Sequence, residues 1–281
     1  MNCYLCNCTT YASRKGQVRD APDLTILECN NCGLVTLSSL KHIHSGCYED
    51  SRMNSVDQIT MDSWLKDTDW DDQRRFEGLK TLLPNKRLLD FGCGAGGFLK
   101  KVRHLTSSVA GVELELCVQM YWHEQIAIYP NIDSAGEGYD LITAFHVLQH
   151  LSDPIATLLA LGAKLSKNGR LIVEVPNSED ALLTLYDSPA FQHFSYSGQY
   201  LFLFNAETLR HIVKKSGLRV ISIEQYQRYP LSTHLHWLSM GKPRGHQKWG
   251  FLDSPELSAA YSNALASVAK CDTLIAHLEL E

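Results

Sequence analysis

The run LLDFGCGAGGFLK at residues 88–100 constrains this chain more than any other stretch. A short apolar segment enters it, Gly92, Gly94, Gly96 and Gly97 fill its middle, and helix-forming residues leave it. Glycines between a buried strand and a helix start let backbone pass close to a ligand, and the helix N-terminus offers free N–H groups and partial positive charge. The flanking sequence repeats the strand-helix alternation. DDQRRFEGLKTLL reads as a helix from Asp71 behind an acidic start, halted by Pro84, and KRLLDF as the first strand. GGFLKKVRHL is a helix, SVAGVEL a second strand, ELCVQMYWHEQ a second helix and IAIYP a third strand. DLITAFHV is a fourth strand, DPIATLLALGAKL a helix entered through Asp-Pro, and GRLIVEVPN a fifth strand. Such alternation predicts an α/β fold, a parallel sheet covered on both faces by its crossover helices. Past Asn177 come an aromatic stretch, a helix over AETLRHIVKKSG and the segment RVISIEQYQRY, a half expected to build the far wall of a binding cleft.

Five of the nine cysteines crowd into the N-terminal segment, as Cys3, Cys6, Cys8, Cys29 and Cys32. Cys3-x-x-Cys6 and Cys29-x-x-Cys32-Gly33 form two knuckles with the spacing of a tetrahedral site. Four thiolates leave no open position for water, so a structural zinc held by Cys3, Cys6, Cys29 and Cys32 is expected, with catalytic zinc, redox cysteines or an iron–sulfur cluster as the other readings. Cys8 is a spare, and Cys93 and Cys117 read as packing residues. The start MNCYLCNCTT has neither the basic onset nor the apolar run of a signal peptide, and no uncharged stretch reaches membrane length, so a cytoplasmic protein without membrane attachment is expected. Residues 1–40 then form a zinc-binding module, 41–70 a polar linker and lid, and 71–281 the main domain. A net charge of -5 argues against a surface that grips nucleic acid as a whole.

Glycines alone do not separate a dinucleotide from S-adenosylmethionine. Asp90 stands two residues before the first glycine, inside an otherwise apolar strand, where a carboxylate can orient an ammonium group. Glu113 ends the second strand about twenty residues later, placed to accept the hydroxyls of a ribose. With FHVLQHLSDP and NGRLIVEVPN further on, the sequence resembles the class I S-adenosylmethionine-dependent methyltransferases over about residues 80–220. The resemblance implies a Rossmann-like, doubly wound, mostly parallel seven-stranded sheet, and S-adenosyl-L-methionine as cofactor. It implies further that Gly92, Gly94 and Gly96 border the methionine portion, that Asp133 in the turn after the third strand meets the adenine, and that His146 and Leu148 line the cleft.

A four-cysteine module ahead of such a domain resembles bacterial methyltransferases of nucleotide-linked sugars and polysaccharide precursors, the sugar C-methyltransferases among them. That likeness implies a sugar-nucleotide acceptor, and for Tyr48, in CYEDS, a place over the cofactor; the bland reading of Tyr48 is an amphipathic surface residue. In those enzymes a Glu-His pair supplies base chemistry, and the corresponding positions here are Gln199 and Tyr200. Glutamine cannot act as a base, which leaves O-methylation open beside C-methylation. Methyl transfer is an in-line displacement, so an acceptor hydroxyl or carbon acid needs a proton acceptor near the methyl. The candidates are His146, at the end of the fourth strand, with His193 and Tyr200 from the aromatic segment; His150 reads as structural.

Arg228, Tyr229, His234, His236, Lys242, Arg244, His246 and Lys248 crowd the C-terminal run, suiting a diphosphate and a base, or else a plain hairpin with solvated charges. In that hairpin His234 and His236 share a strand face. RNA methylation is the competing enzymatic reading, disfavoured by a scarcity of basic residues near the N-terminus, and a cofactor-binding regulatory protein is the non-enzymatic one.

Overall fold

The structure, a computed structural model, describes residues 1–42 and 60–281. Tyr48 lies outside the described residues. Strands β1 (Tyr11–Ser13), β2 (Ile26–Cys29) and β3 (Val35–Leu37) form an antiparallel ribbon near the N-terminus. Helix α1 (Met61–Leu79) starts well before the expected Asp71, because Thr60 caps it by accepting the Ser63 N–H at 3.2 Å and Met61, Trp64 and Leu65 pack on the core.

The main sheet is then laid down in sequence: β4 (Arg87–Phe91), α2 (Gly97–Val102), β5 (Ser108–Val112), α3 (Leu116–Trp122), β6 (Ala127–Tyr129), β7 (Tyr139–Phe145), α4 (Pro154–Lys164) and β8 (Leu165–Pro176). Asp153 caps α4 through the Ala156 N–H at 3.0 Å, with Pro154 in the first turn. Helices α5 (Ala181–Thr184) and α6 (Pro189–Ser195), strand β9 (Phe202–Leu203) and helix α7 (Ala206–Lys215) follow, then β10 (Leu218–Tyr226), α8 (Leu231–Met240), α9 (Gly245–Trp249), α10 (Pro255–Ser267) and β11 (Thr273–Leu280).

Seven strands pair in the order β10-β11-β8-β7-β4-β5-β6, with β11 antiparallel to both neighbours and the pairs from β8 to β6 parallel. This is the Rossmann-like, doubly wound sheet expected. Its central strands are buried on both faces, which is why they read as unbroken apolar runs. The order reverses beside β4, and the carboxyl ends of β4 and β7 open there, where sheets of this kind bind ligands.

The N-terminal ribbon is joined to the rest of the chain. β3 pairs antiparallel with β9, registering Val35 with Leu203 and Thr36 with Phe202, so four strands make a second sheet. Arg14 reinforces the junction, donating to Glu28 at 2.7 Å, to Glu179 at 2.6 Å and to the Ser178 carbonyl. The C-terminal run does not form the hairpin that is one of its two readings. Its residues form α8 and α9, so His234 and His236 sit on a helix, where positions two apart face different ways.

Candidate functional site

The turn between β4 and α2 takes left-handed backbone at Gly92 (φ +70°), Gly94 (φ +52°) and Gly96 (φ +78°), conformations that favour glycine. A Cβ on Gly92 would lie 2.5 Å from Val147 Cγ2, so the strand end and the turn after β7 meet backbone to side chain. Gly96 serves differently from expectation. Its missing side chain makes room for Trp122, whose Nε1 would be 2.5 Å from a Cβ there and donates instead to the Ala95 carbonyl at 2.9 Å. Gly92 and Gly94 line the cleft; Gly96 faces the packing behind the loop.

Glu113 organises this loop from the end of β5. Its Oε2 accepts the Gly94 N–H at 2.9 Å, and its Oε1 accepts the Leu114 N–H at 2.8 Å. Burial pushes its carboxyl up, and the backbone donors oppose that. Asp90, 3% exposed, accepts the Thr143 hydroxyl at 2.7 Å. Burial pushes Asp90 up to about 7, against the Thr143 bond and the nearby Arg75 charge. Asp133 is exposed in the turn after β6 and, like Glu113, is not among the residues lining the cavity described below.

A cavity of about 900 Å³ connects the glycine loop to the C-terminal half. Asp90, Gly92 and Gly94 line it together with Arg19, Phe194, Tyr200, Trp237 and Arg244. Burial raises the Tyr200 hydroxyl pKa, keeping the proton on at neutral pH. His193 is exposed on α6 and is not among the residues lining the cavity, while the neighbouring Gln192 is buried against the Leu183 carbonyl and Asp187. His234 lines the cavity with both ring nitrogens occupied, by Tyr261 at 2.7 Å and Gln227 at 3.1 Å, while His236 Nδ1 donates to the Lys242 carbonyl.

His146 holds left-handed backbone (φ +55°), unusual for a residue with a side chain, and its N–H donates to the Glu174 carbonyl at 2.7 Å. Its Nε2 stands 2.9 Å from Glu174 Oε1 and 3.1 Å from Arg228 Nη1. A guanidinium only donates and a carboxylate only accepts, so this nitrogen serves one partner when protonated and the other when bare. Burial, then the Arg228 charge, hold the imidazole down to about 4 against the pull of Glu174.

Sequence reasoning missed the cluster around it. Glu174 Oε1 also accepts Arg74 at 2.7 Å and Arg75 at 3.1 Å, and Arg228 forks onto Asp71, with Nε at 3.2 Å from Oδ1 and Nη2 on Oδ2. Burial alone would raise Glu174, but the His146 bond and the two arginines hold it well below the ordinary range. The available signal was Glu174 itself, a lone charge in the strand RLIVEVP, which a buried strand tolerates only with partners.

At the other end of the molecule the sulfurs of Cys3, Cys6, Cys29 and Cys32 all lie within 4.8 Å of one another. Gly33 (φ +75°) turns its N–H back onto the Cys29 carbonyl at 2.9 Å, shaping the second knuckle. Cys8 stays outside the group, bonded to Thr10. The set fits a closed, four-coordinate metal site.

A family model described as a methyltransferase domain matches residues 59–223. The tRNA U34 carboxymethyltransferase of Pseudomonas aeruginosa is 32% identical over 124 residues, covering 38% of this chain and 38% of that protein. The ubiquinone biosynthesis O-methyltransferase of Burkholderia thailandensis is 26% identical over 168 residues, covering 53% of this chain and 72% of that one. Among solved structures, a Haloferax volcanii methyltransferase complexed with the Trm112 methyltransferase activator aligns with a TM-score of 0.50 at 12% identity, over 78% of this chain and 96% of the other. That likeness speaks to fold. No helix among the described residues is long and apolar enough to cross a membrane.

Proposed function

The chain belongs to the methyltransferase-domain family, and from that premise we propose that it transfers a methyl group from S-adenosyl-L-methionine to an acceptor held in the large cavity. The observation that carries the reading is the junction of a left-handed glycine turn and a buried Asp90 on the wall of that cavity, with Glu113 ordering the turn from behind through the Gly94 N–H. When bound, S-adenosylmethionine supplies an electrophilic methyl on a sulfonium. Asp90 receives the ammonium, Glu113 accepts ribose hydroxyls with the lone pairs its backbone donors leave, and Gly92 and Gly94 allow close approach. His146, with a bound-down pKa and Nε2 shared between Glu174 and Arg228, acts as a positioning residue rather than a base. Tyr200 keeps its proton and offers a hydrogen bond to the acceptor. The four cysteines hold a structural zinc, and residues 1–40 and 71–281 form the zinc-bearing and methyl-transferring parts of the chain.

For the acceptor we favour an anionic small molecule with a ring, a sugar nucleotide among them. Arg19 and Arg244 supply charge, and Phe194 and Trp237 supply apolar faces, around one cavity. A second reading, RNA methylation, has its support in the tRNA enzyme named above, which aligns with this chain at 32% identity. Incubation with methyl-labelled cofactor separates them: label passing to pooled sugar nucleotides supports the first, and label passing to bulk tRNA overturns it.

Two measurements test the cofactor assignment. Glu113→Ala is expected to weaken S-adenosylmethionine by roughly tenfold to a hundredfold in calorimetry, since a charge-assisted hydrogen bond is worth about 1.5–3 kcal/mol; parent-like affinity would dismiss the ribose role. Because an ammonium needs the ionised form of Asp90, affinity for S-adenosylhomocysteine should fall as pH drops below about 7, by at most about tenfold per unit. Asp90→Asn should flatten that dependence, and a variant with the parental slope would place the titrating group elsewhere.

A further inference from the structure

The cavity has an acidic corner that the cofactor assignment leaves unused. Asp180 and Asp272 line it where β8 ends and β11 begins. Those strands are antiparallel neighbours with Pro176 opposite Thr273, so the residues leaving one lie beside the residues entering the other. Hydrogen bonds then lock the corner. Asn177 donates its N–H to the Asp272 carbonyl at 2.9 Å and its Nδ2 to the Cys271 carbonyl at 2.8 Å, and the Ala181 N–H reaches the Lys270 carbonyl at 3.0 Å. Asp180 stands in the turn so fixed.

Asp180 is 4% exposed, and its carboxyl is only half used. Its Oδ1 accepts the Leu182 N–H at 2.7 Å, and among the described residues nothing donates to its Oδ2. A buried carboxylate oxygen without a donor is costly, and the cavity is the side from which a ligand can supply one. Other proton acceptors on the wall are occupied. Asp272 accepts the Arg228 and Tyr229 N–H groups at 3.1 and 3.0 Å and Gln227 Nε2 at 2.8 Å. Asp71 is held by Arg74 and Arg228, and His146 Nε2 lies between Glu174 and Arg228. His234 receives Gln227 Nε2 on one nitrogen, so its other nitrogen donates to Tyr261. His246, exposed on α9 with Nδ1 3.3 Å from Thr233 Oγ1, is the rival imidazole on the wall.

We propose that Asp180 is the proton acceptor for methyl transfer to a hydroxyl-bearing acceptor, with Oδ2 as the receiving atom. The proposal rests on the methyltransferase reading above. As the acceptor oxygen attacks the methyl carbon, its O–H bond breaks toward Oδ2 and a new O–C bond forms, while the carbon–sulfur bond breaks with its electron pair leaving on a neutral thioether. The carboxylic acid so formed returns its proton to water once the product departs. Burial and the Asp272 charge both raise the proton affinity of Asp180, the direction a proton acceptor requires.

Asp180→Asn tests this, because an amide oxygen still accepts the Leu182 N–H but does not take a proton at neutral pH. The assay follows label from methyl-labelled cofactor into whichever pool the parent methylates, sugar nucleotides or bulk tRNA, and calorimetry follows S-adenosylhomocysteine. Asp180→Asn should lower kcat by about 10²–10⁴ and leave S-adenosylhomocysteine affinity within about twofold. Asp180→Ser also keeps a capping oxygen; it should lose as much, and it decides by the same criterion if the asparagine variant does not fold. A loss below about tenfold overturns the proposal, as does a His246→Gln variant that loses more, or a fall in S-adenosylhomocysteine affinity that matches the fall in rate. If the parent binds S-adenosylhomocysteine and labels neither pool, the hydroxyl acceptor is missing and the proposal is overturned. If the parent binds no S-adenosylhomocysteine, the methyltransferase reading itself fails.

Discussion

Replacing Cys32 with serine is expected to remove one zinc per chain and to unfold the N-terminal ribbon. Four sulfurs within 4.8 Å of one another cannot rest there as thiolates without a cation, since like charges at that separation repel. The ribbon has strands of only three or four residues, too short to hold together by their own ladder. Structural zinc contributes on the order of 10–16 kcal/mol to small modules at neutral pH, more than those strands supply. The damage should also travel. β9 would lose its pairing with β3, exposing Phe202 and Leu203, and the Arg14 bridge to Glu179 would lose its anchor at Glu28. Arg19, which lines the cavity, belongs to the same segment. Metal analysis together with limited proteolysis checks this: loss of zinc should coincide with cleavage within residues 1–42. Full zinc content in Cys32→Ser would mean that the ligands are misassigned.

The fold was legible where the physics is local. Glycines requiring left-handed backbone, Asp153-Pro154 at a helix start and unbroken apolar strands such as LIV at 171–173 each state their structure within a few residues. The cysteine knuckles were legible for the same reason, because ligand spacing is a local property. Long-range pairing was not. Nothing in VTL or FL announces that β3 and β9 share a ladder, since two short apolar segments fit many partners. The α8–α9 region misled because alternating histidines in THLHW match a strand face, while the folded helix buries Ser232 against Asp253 and turns Thr233 and Trp237 to the cavity. In the site, Asp90, Gly92, Gly94 and Tyr200 line one cavity, but the arginine cluster did not show itself. DDQRR looks like the solvated acidic start of a helix, and only folding reveals that Arg74 and Arg75 turn inward onto Glu174, some hundred positions away.

That cluster yields the second large effect. Arg228→Met should destabilise the protein by about 3 kcal/mol, because it strips a charge from a buried ionic group and leaves the Asp71 carboxylate with Arg74 as its remaining ion-pair partner. Arg228 is 15% exposed, forks onto Asp71, and lends charge to Asp272, whose carboxyl accepts the Arg228 and Tyr229 N–H groups. Methionine fills similar volume without charge, so the loss is electrostatic rather than a cavity. Urea titration at pH 7 measures it. A companion readout separates this network from ordinary packing. In the parent, His146 is neutral and held down to about 4, below the ordinary unfolded value near 6.5, so the unfolded chain binds the extra proton between those limits and stability falls as pH drops through them. Without Arg228, Glu174 remains 2.9 Å from Nε2 with no opposing charge at that nitrogen, and the imidazole should titrate higher. The acid-sensitive window should then narrow from below. Proton NMR of the ring over pH 4–8 would follow the midpoint directly. A variant that loses stability with an unmoved His146 midpoint would show that Arg228 packs against the site without setting its electrostatics.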